Sequence, residues 1–253
     1  MAIFQDITER QRAAEIVARR AHELSLVAEL GTKISSILEP SLMLQTVADL
    51  VKESFGLYQV LIYLMNERGD LLTLAVGSGE TGRRLVAQGW QVSLGNEGTG
   101  QDAAAQAARL RQGVIFNDVR AASYTGGTLS LSKDDRNDLL PETRAEMAVP
   151  MIVGERVTGV VDIQAAEANR FSEEDVSIHT VLASQVAVAL QNSRTYAQTQ
   201  RQAEYEALIN AITQKIQSTT TIENALQVAV RELGRALGVS RASVQLGVNR
   251  QKK

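Results

Sequence analysis

The sequence predicts an α+β fold: a twisted antiparallel sheet with N- and C-terminal helices packed on one face and long helices at both ends. Three observations predict it. Two pairs of short β-rich runs, at 58–76 and 146–164, are each joined by a turn. A long helical pattern precedes the first pair, and another follows the second. The first of these carries two apolar stripes, one more than a helix needs to pack on its own domain.

In chain order, Ala2 to Ile7 reads as the end of a strand and Thr8 to Leu38 as one helix. Ala13, Ile16, Val27, Leu30, Ile34 and Ile37 occupy positions a and d of one heptad frame, broken in the middle by Arg20 and Glu23. Val17, Ala21, Leu24 and Ala28 form the second stripe. Pro40 and Ser41 start another helix, which runs to about Ser54 and stops at Gly56. Tyr58 to Met65 and Leu71 to Val76 form a hairpin around Asn66 to Asp70. Residues 77–100 read as a glycine-rich loop containing the strand-like stretch Trp90 to Leu94. Gln101 to Arg111 is an alanine-rich helix closed by Gly113, and Val114 to Phe116 a short strand. Residues 120–143 form a polar loop, long for a compact domain. Glu146 to Val153 and Arg156 to Gln164 make a second hairpin. Ser172 and Asp175 supply a capping box for a helix running from Glu173 to about Gln217.

Composition narrows the function classes. The 253 residues carry 26 basic and 29 acidic side chains with no basic block, so no nucleic-acid partner is expected. No apolar run is long enough to span a bilayer, and no membrane contact is expected. Gln5 and Asp6 interrupt the short apolar start, which therefore does not read as a signal peptide. There are no cysteines, which removes disulfides, thiolate metal sites and cysteine nucleophiles. A cytoplasmic location is the expectation.

The chain also repeats itself. At an offset of 182 residues, Leu26, Lys33, Ile34, Ser36, Leu44, Gln45, Gly56 and Leu64 each meet an identical residue, eight in the 41 positions from Leu24 to Leu64. The expected organisation is a strand remnant and linker helix at 1–24, a domain at 25–195, a connector helix at 196–217, and the start of a second copy at 218–253.

The stretch from Arg144 to Tyr196 carries a resemblance. Arg144 and Glu146, the strand with Pro150, the hairpin glycines Gly154 and Gly159, FSEED and LASQVAVALQN together resemble the C-terminal half of a GAF domain. GNEGTG, the alanine-rich helix and IFNDV fit the middle of that family. The resemblance implies a sheet with helices on one face and a ligand pocket on the other, in a sensory or dimerisation module. Covalent bilin attachment and the methionine sulfoxide reductase branch both require cysteines that are absent here. The pattern of cyclic-nucleotide-binding relatives is not recognisable. No cofactor is identified. AIFQDITER is similar to the last strand and exit of a PAS domain, so the whole resembles a middle piece of a PAS–GAF–GAF sensor.

Within that frame the candidate ligand contacts are Trp90, Gly98, Gly100, Phe116, Asp118 and Tyr124. The aromatics suit a planar ligand, and the glycines lie before a helix whose free N–H groups could hold an anion or carbonyl. An Asp-capped turn is the competing account of Asp118. Arg144 and Glu146 read as a structural ion pair with the loop. GSGETG is formally G-x-G-x-x-G, but its strand belongs to a hairpin, and loop flexibility is preferred to nucleotide binding. A parallel homodimer through Ile16, Val27, Leu30, Ile34, Leu182, Ala189 and Tyr196 is expected. No serine triad, carboxylate pair or metal-ligand spacing appears, and the chain is expected not to be an enzyme. The expected function is a sensory module binding a small molecule between the sheet and residues 77–130. The alternative is a purely structural dimerisation and relay domain.

Overall fold

The computed structural model describes residues 25, 31, 37, 39–95, 102–120, 140–218 and 221–236. Two compact units divide at Arg194/Thr195. In the first, the described elements are α1 (Pro40–Phe55), β1 (Gln59–Met65), β2 (Leu71–Gly77), α2 (Gly79–Ala87), β3 (Gln91–Ser93), α3 (Ala103–Leu110), β4 (Val114–Phe116), β5 (Ala145–Val153), β6 (Arg156–Ala165) and the start of α4 (Glu173–Gln217). The second contains the rest of α4 and the helix α5 (Ile222–Ala236), where Lys215 and Glu232 form an ion pair at 2.9 Å. The strand expected at Ala2 to Ile7 and the strand expected after α5 lie outside the described residues, as do Ile16, Val27, Leu30 and Ile34.

The six strands lie in the order β3-β2-β1-β6-β5-β4, and every neighbouring pair is antiparallel. The α+β architecture is as the sequence predicts. Side chains alternate across the sheet and divide its residues between two cores. On one face, Val60, Ile62, Met147, Val149, Val161 and Ile163 meet α1 and α4. On the other, Leu61, Tyr63, Leu72, Leu74, Ala148 and Val160 meet α2, α3 and Trp90.

The helices on the first face are fixed by local chemistry. Glu39 caps α1 by accepting the N–H groups of Ser41, at 3.0 Å, and of Leu42. Those backbone donors, Leu42 first, hold its carboxyl below the usual range. Pro40 opens the helix, and Gly56 ends it at φ 62°. At the head of α4, Ser172 and Asp175 exchange the expected capping-box bonds, at 2.8 and 3.3 Å. His179 is buried there against the Phe55 ring, with centroids 4.7 Å apart.

One segment departs from expectation. Residues 79–87 of the glycine-rich stretch form α2 rather than a loop. The glycines serve close packing: a Cβ on Gly82 would lie 2.2 Å from the carbonyl carbon of Gly77. Asp49 accepts the Gly79 N–H at 3.1 Å, and Gln45 donates to the Gly77 carbonyl at 3.1 Å. The motif is therefore taken up by helix–strand contact. Gly82→Ala should destabilise the domain by about 2 kcal/mol or more, because backbone stands where the methyl would go. Urea unfolding of the variant checks this, and an unchanged midpoint would refute the packing account.

Candidate functional site

The second face of the sheet is mostly apolar but carries a polar patch at one end of its central strands. Strand register places Phe116, Glu146, Gln164 and Gln59 in one row across β4, β5, β6 and β1. The adjacent row is Val114, Ala148, Asp162 and Leu61. Four polar side chains thus share one patch, each no more than 2% exposed. Thr143 adds a hydroxyl that donates to Gln164 Oε1 at 2.8 Å. Gln164 Nε2 in turn donates to Asp162 Oδ2 at 3.3 Å. Gln59 donates to the Ser78 carbonyl at 2.8 Å, and Ser78 Oγ accepts the Val60 N–H at 2.9 Å. Together they form a hydrogen-bonded patch containing two buried carboxylates, and such groups are costly to bury.

The predicted contacts divide unevenly over this geometry. Trp90 is buried in the core of this face, and its indole N–H has no hydrogen-bond partner among the described residues. Phe116 lies at the other edge of the sheet, in the same row as Glu146. Trp90 lies beside β2, where its carbonyl accepts the Leu74 N–H at 2.9 Å, so the two aromatics sit towards opposite edges of the sheet rather than sharing one contact. Asp118 is exposed and does not join the patch: it accepts the Arg120 N–H at 3.1 Å and pairs with Arg144 at 3.7 Å. The Asp-capped turn is the arrangement found. Gly98, Gly100 and Tyr124 lie outside the described residues. Glu146 belongs to the buried patch, and the loop residues 121–139 with which an ion pair was expected lie outside the described residues. Gln59, Thr143, Asp162 and Gln164 were not predicted. For Asp162 and Gln164 the signal is the alternation in VVDIQA, where polar residues fall every second position of an otherwise apolar strand.

On α4, Leu182 and Ala189 fill the domain's own core, which corrects their placement in a dimer interface. The exposed apolar residues one position earlier are Val181 at 45% and Val188 at 50%, and Tyr196 is exposed at 49%. Both frames repeat every seven residues, so heptad spacing alone could not choose between them.

One further arrangement ties the patch to α4. Asn117 directly follows Phe116. Its side-chain amide donates to the Phe171 carbonyl at 2.9 Å, and its Oδ1 accepts the Phe171 N–H at 3.2 Å. Its own carbonyl accepts the Asn169 N–H at 2.8 Å. Phe171 immediately precedes the Ser172 cap.

A family model for the GAF domain matches residues 38–191. The chain belongs to the GAF domain family. Comparison with curated proteins finds no match. Among solved structures, the GAF domain of a phosphoenolpyruvate-protein phosphotransferase from Coxiella burnetii superposes with a TM-score of 0.58 at 13% identity, covering 70% of this chain and 98% of that one. The corresponding domain from Acinetobacter gives 0.54 at 15% identity, covering 69% and 95%. The free methionine-R-sulfoxide reductase of Neisseria meningitidis, in complex with its substrate, gives 0.55 at 22% identity, covering 70% and 93%. This last likeness corrects the expectation that the chain is not an enzyme. Enzymes share this GAF fold, so neither the architecture nor the lack of a familiar triad excludes catalysis.

Asn117→Ala should cost about 2–3 kcal/mol, since it removes two hydrogen bonds and leaves backbone groups of Phe171 without their partner. Chemical denaturation provides the measurement. A loss below about 0.5 kcal/mol would show that water replaces the amide.

Proposed function

We propose that this chain is a sensory GAF module whose second sheet face binds a small molecule carrying an ammonium or similar hydrogen-bond-donating group. The supporting observation is the buried patch of Asp162, Glu146, Gln164 and Gln59. Buried carboxylates are kept where hydrogen-bonding partners offset their desolvation, and carboxylates grouped with amides in this way are complementary to a donor-rich ligand. The Trp90 indole N–H is a further buried donor on this face, without a partner among the described residues. The Neisseria neighbour acts on free methionine-R-sulfoxide, an amino acid, which makes amino acids the first class to screen.

In this reading the signal leaves through β4. A ligand that shifts the Phe116–Glu146 row moves Asn117, and Asn117 holds the residue before the α4 cap. The ligand must bind two positions of this link with different affinity for the shift to occur. The chain acts as a parallel homodimer with Val181 and Val188 facing the partner helix.

Native mass spectrometry of freshly purified protein, followed by a thermal-shift screen of amino acids and amines, tests the ligand. A ligand at about 100 times its Kd should add about 2.7 kcal/mol to the stability of the wild type. Asp162→Asn should abolish that gain while remaining folded. The absence of both a co-purifying mass and a hit would favour a structural role alone. For the dimer, sedimentation should give twice the chain mass at micromolar concentration, and Val188→Glu should give the single mass. A monomeric wild type would end the dimer reading.

A further inference from the structure

The far end of the same sheet holds a second concavity. A cleft of about 430 Å³ opens between the β1–β2 turn, the β5–β6 turn and the C-terminal end of α3, with Arg109, Arg111 and Arg156 on its walls. Its floor is apolar, formed by Met65, Leu94 and Val157. From Val157 to Asp162 the strand rises about 17 Å, so the cleft is separate from the polar patch.

Three features distinguish it from an ordinary charged surface. First, no hydrogen bond or ion pair joins any of the three guanidinium groups to a described residue. Among the described lining residues Glu155 is the one acidic side chain. Those residues carry three positive charges against one, a local excess of two in a chain whose net charge is −3. Second, the charges share one small concavity, where they repel each other until an anion enters. Third, Arg111 holds the C-cap of α3 in the left-handed conformation, at φ 58° and ψ 31°. Glycine adopts that conformation without strain and is the usual residue there; arginine is strained in it. Strain of this kind is kept where the side chain has work to do, and here the side chain lines the cleft.

We propose that this cleft binds a small organic phosphate. The excess of two positive charges matches a phosphate dianion. Guanidinium forks pair with its oxygens two at a time. The apolar floor takes the organic portion, and the volume lies within the range of small-molecule sites.

Calorimetric titration at pH 7.5 and constant ionic strength tests this, using inorganic phosphate and phenyl phosphate as probes. Both should bind saturably, with phenyl phosphate at least about threefold tighter because its ring covers the floor. Arg109→Gln and Arg156→Gln should each weaken binding about tenfold, the loss expected for one charge-assisted contact. Arg111→Gly separates this proposal from a structural role: it should raise Tm by about 1–3 °C through relief of strain while also weakening both probes. No saturable binding by the wild type would overturn the proposal. So would variants that bind as the wild type does, or binding that sodium chloride at matched ionic strength displaces completely.

Discussion

The register of β6 between β1 and β5 is the constraint on which the rest depends. Leu61 faces Asp162, which faces Ala148, and Gln59 faces Gln164, which faces Glu146. Because side chains alternate, this register sends Val161, Ile163 and Ala165 to the helices while Asp162 and Gln164 go to the other face. A slip of one residue would place a carboxylate and an amide against Val186 and Leu190 of α4. The penalty for that, set against the loss of Val161 and Ile163 from the core, makes the register unambiguous. The same alternation therefore secures the fold and assembles the polar patch.

The patch and the helices are joined by short connections. Only Asn117 separates Phe116, at the edge of the patch, from hydrogen bonds to the residue before the α4 cap. Arg170 reinforces that corner: its guanidinium lies 3.8 Å from Asp175 and 5.7 Å from the Phe171 ring centroid. A displacement of β4 thus reaches the first turn of α4 without crossing the core. The close-packed core is stiff and transmits strain as well, so this corner adds a direct route to it.

Most of the fold was legible in the sequence because its signals are local. The capping box at Ser172, the αL stop at Gly56 and the two hairpins each depend on a few adjacent residues. The helix α2 was missed for the opposite reason. Its glycines suggest flexibility when read locally, and only the contact of Gly82 with Gly77 explains them. The site was less legible than the fold. Trp90 and Phe116 attract notice as aromatics, whereas Asp162, Gln164 and Gln59 acquire meaning only when register places them in adjacent rows.

The helix α4 shows why pattern alone misassigned its faces. Leu182 and Ala189 carry the same seven-residue spacing as Val181 and Val188, and the two stripes lie about 100° apart around the helix. The sheet claims the leucine stripe because Leu182, Val186 and Leu190 share one buried core with Val149 and Val161. Val181 and Val188 are left outside, although burying a valine is worth about 1.5 kcal/mol or more. A helix that leaves two valines on its outer side at heptad spacing has the surface a second helix needs, and the domain's own packing decides which stripe that is.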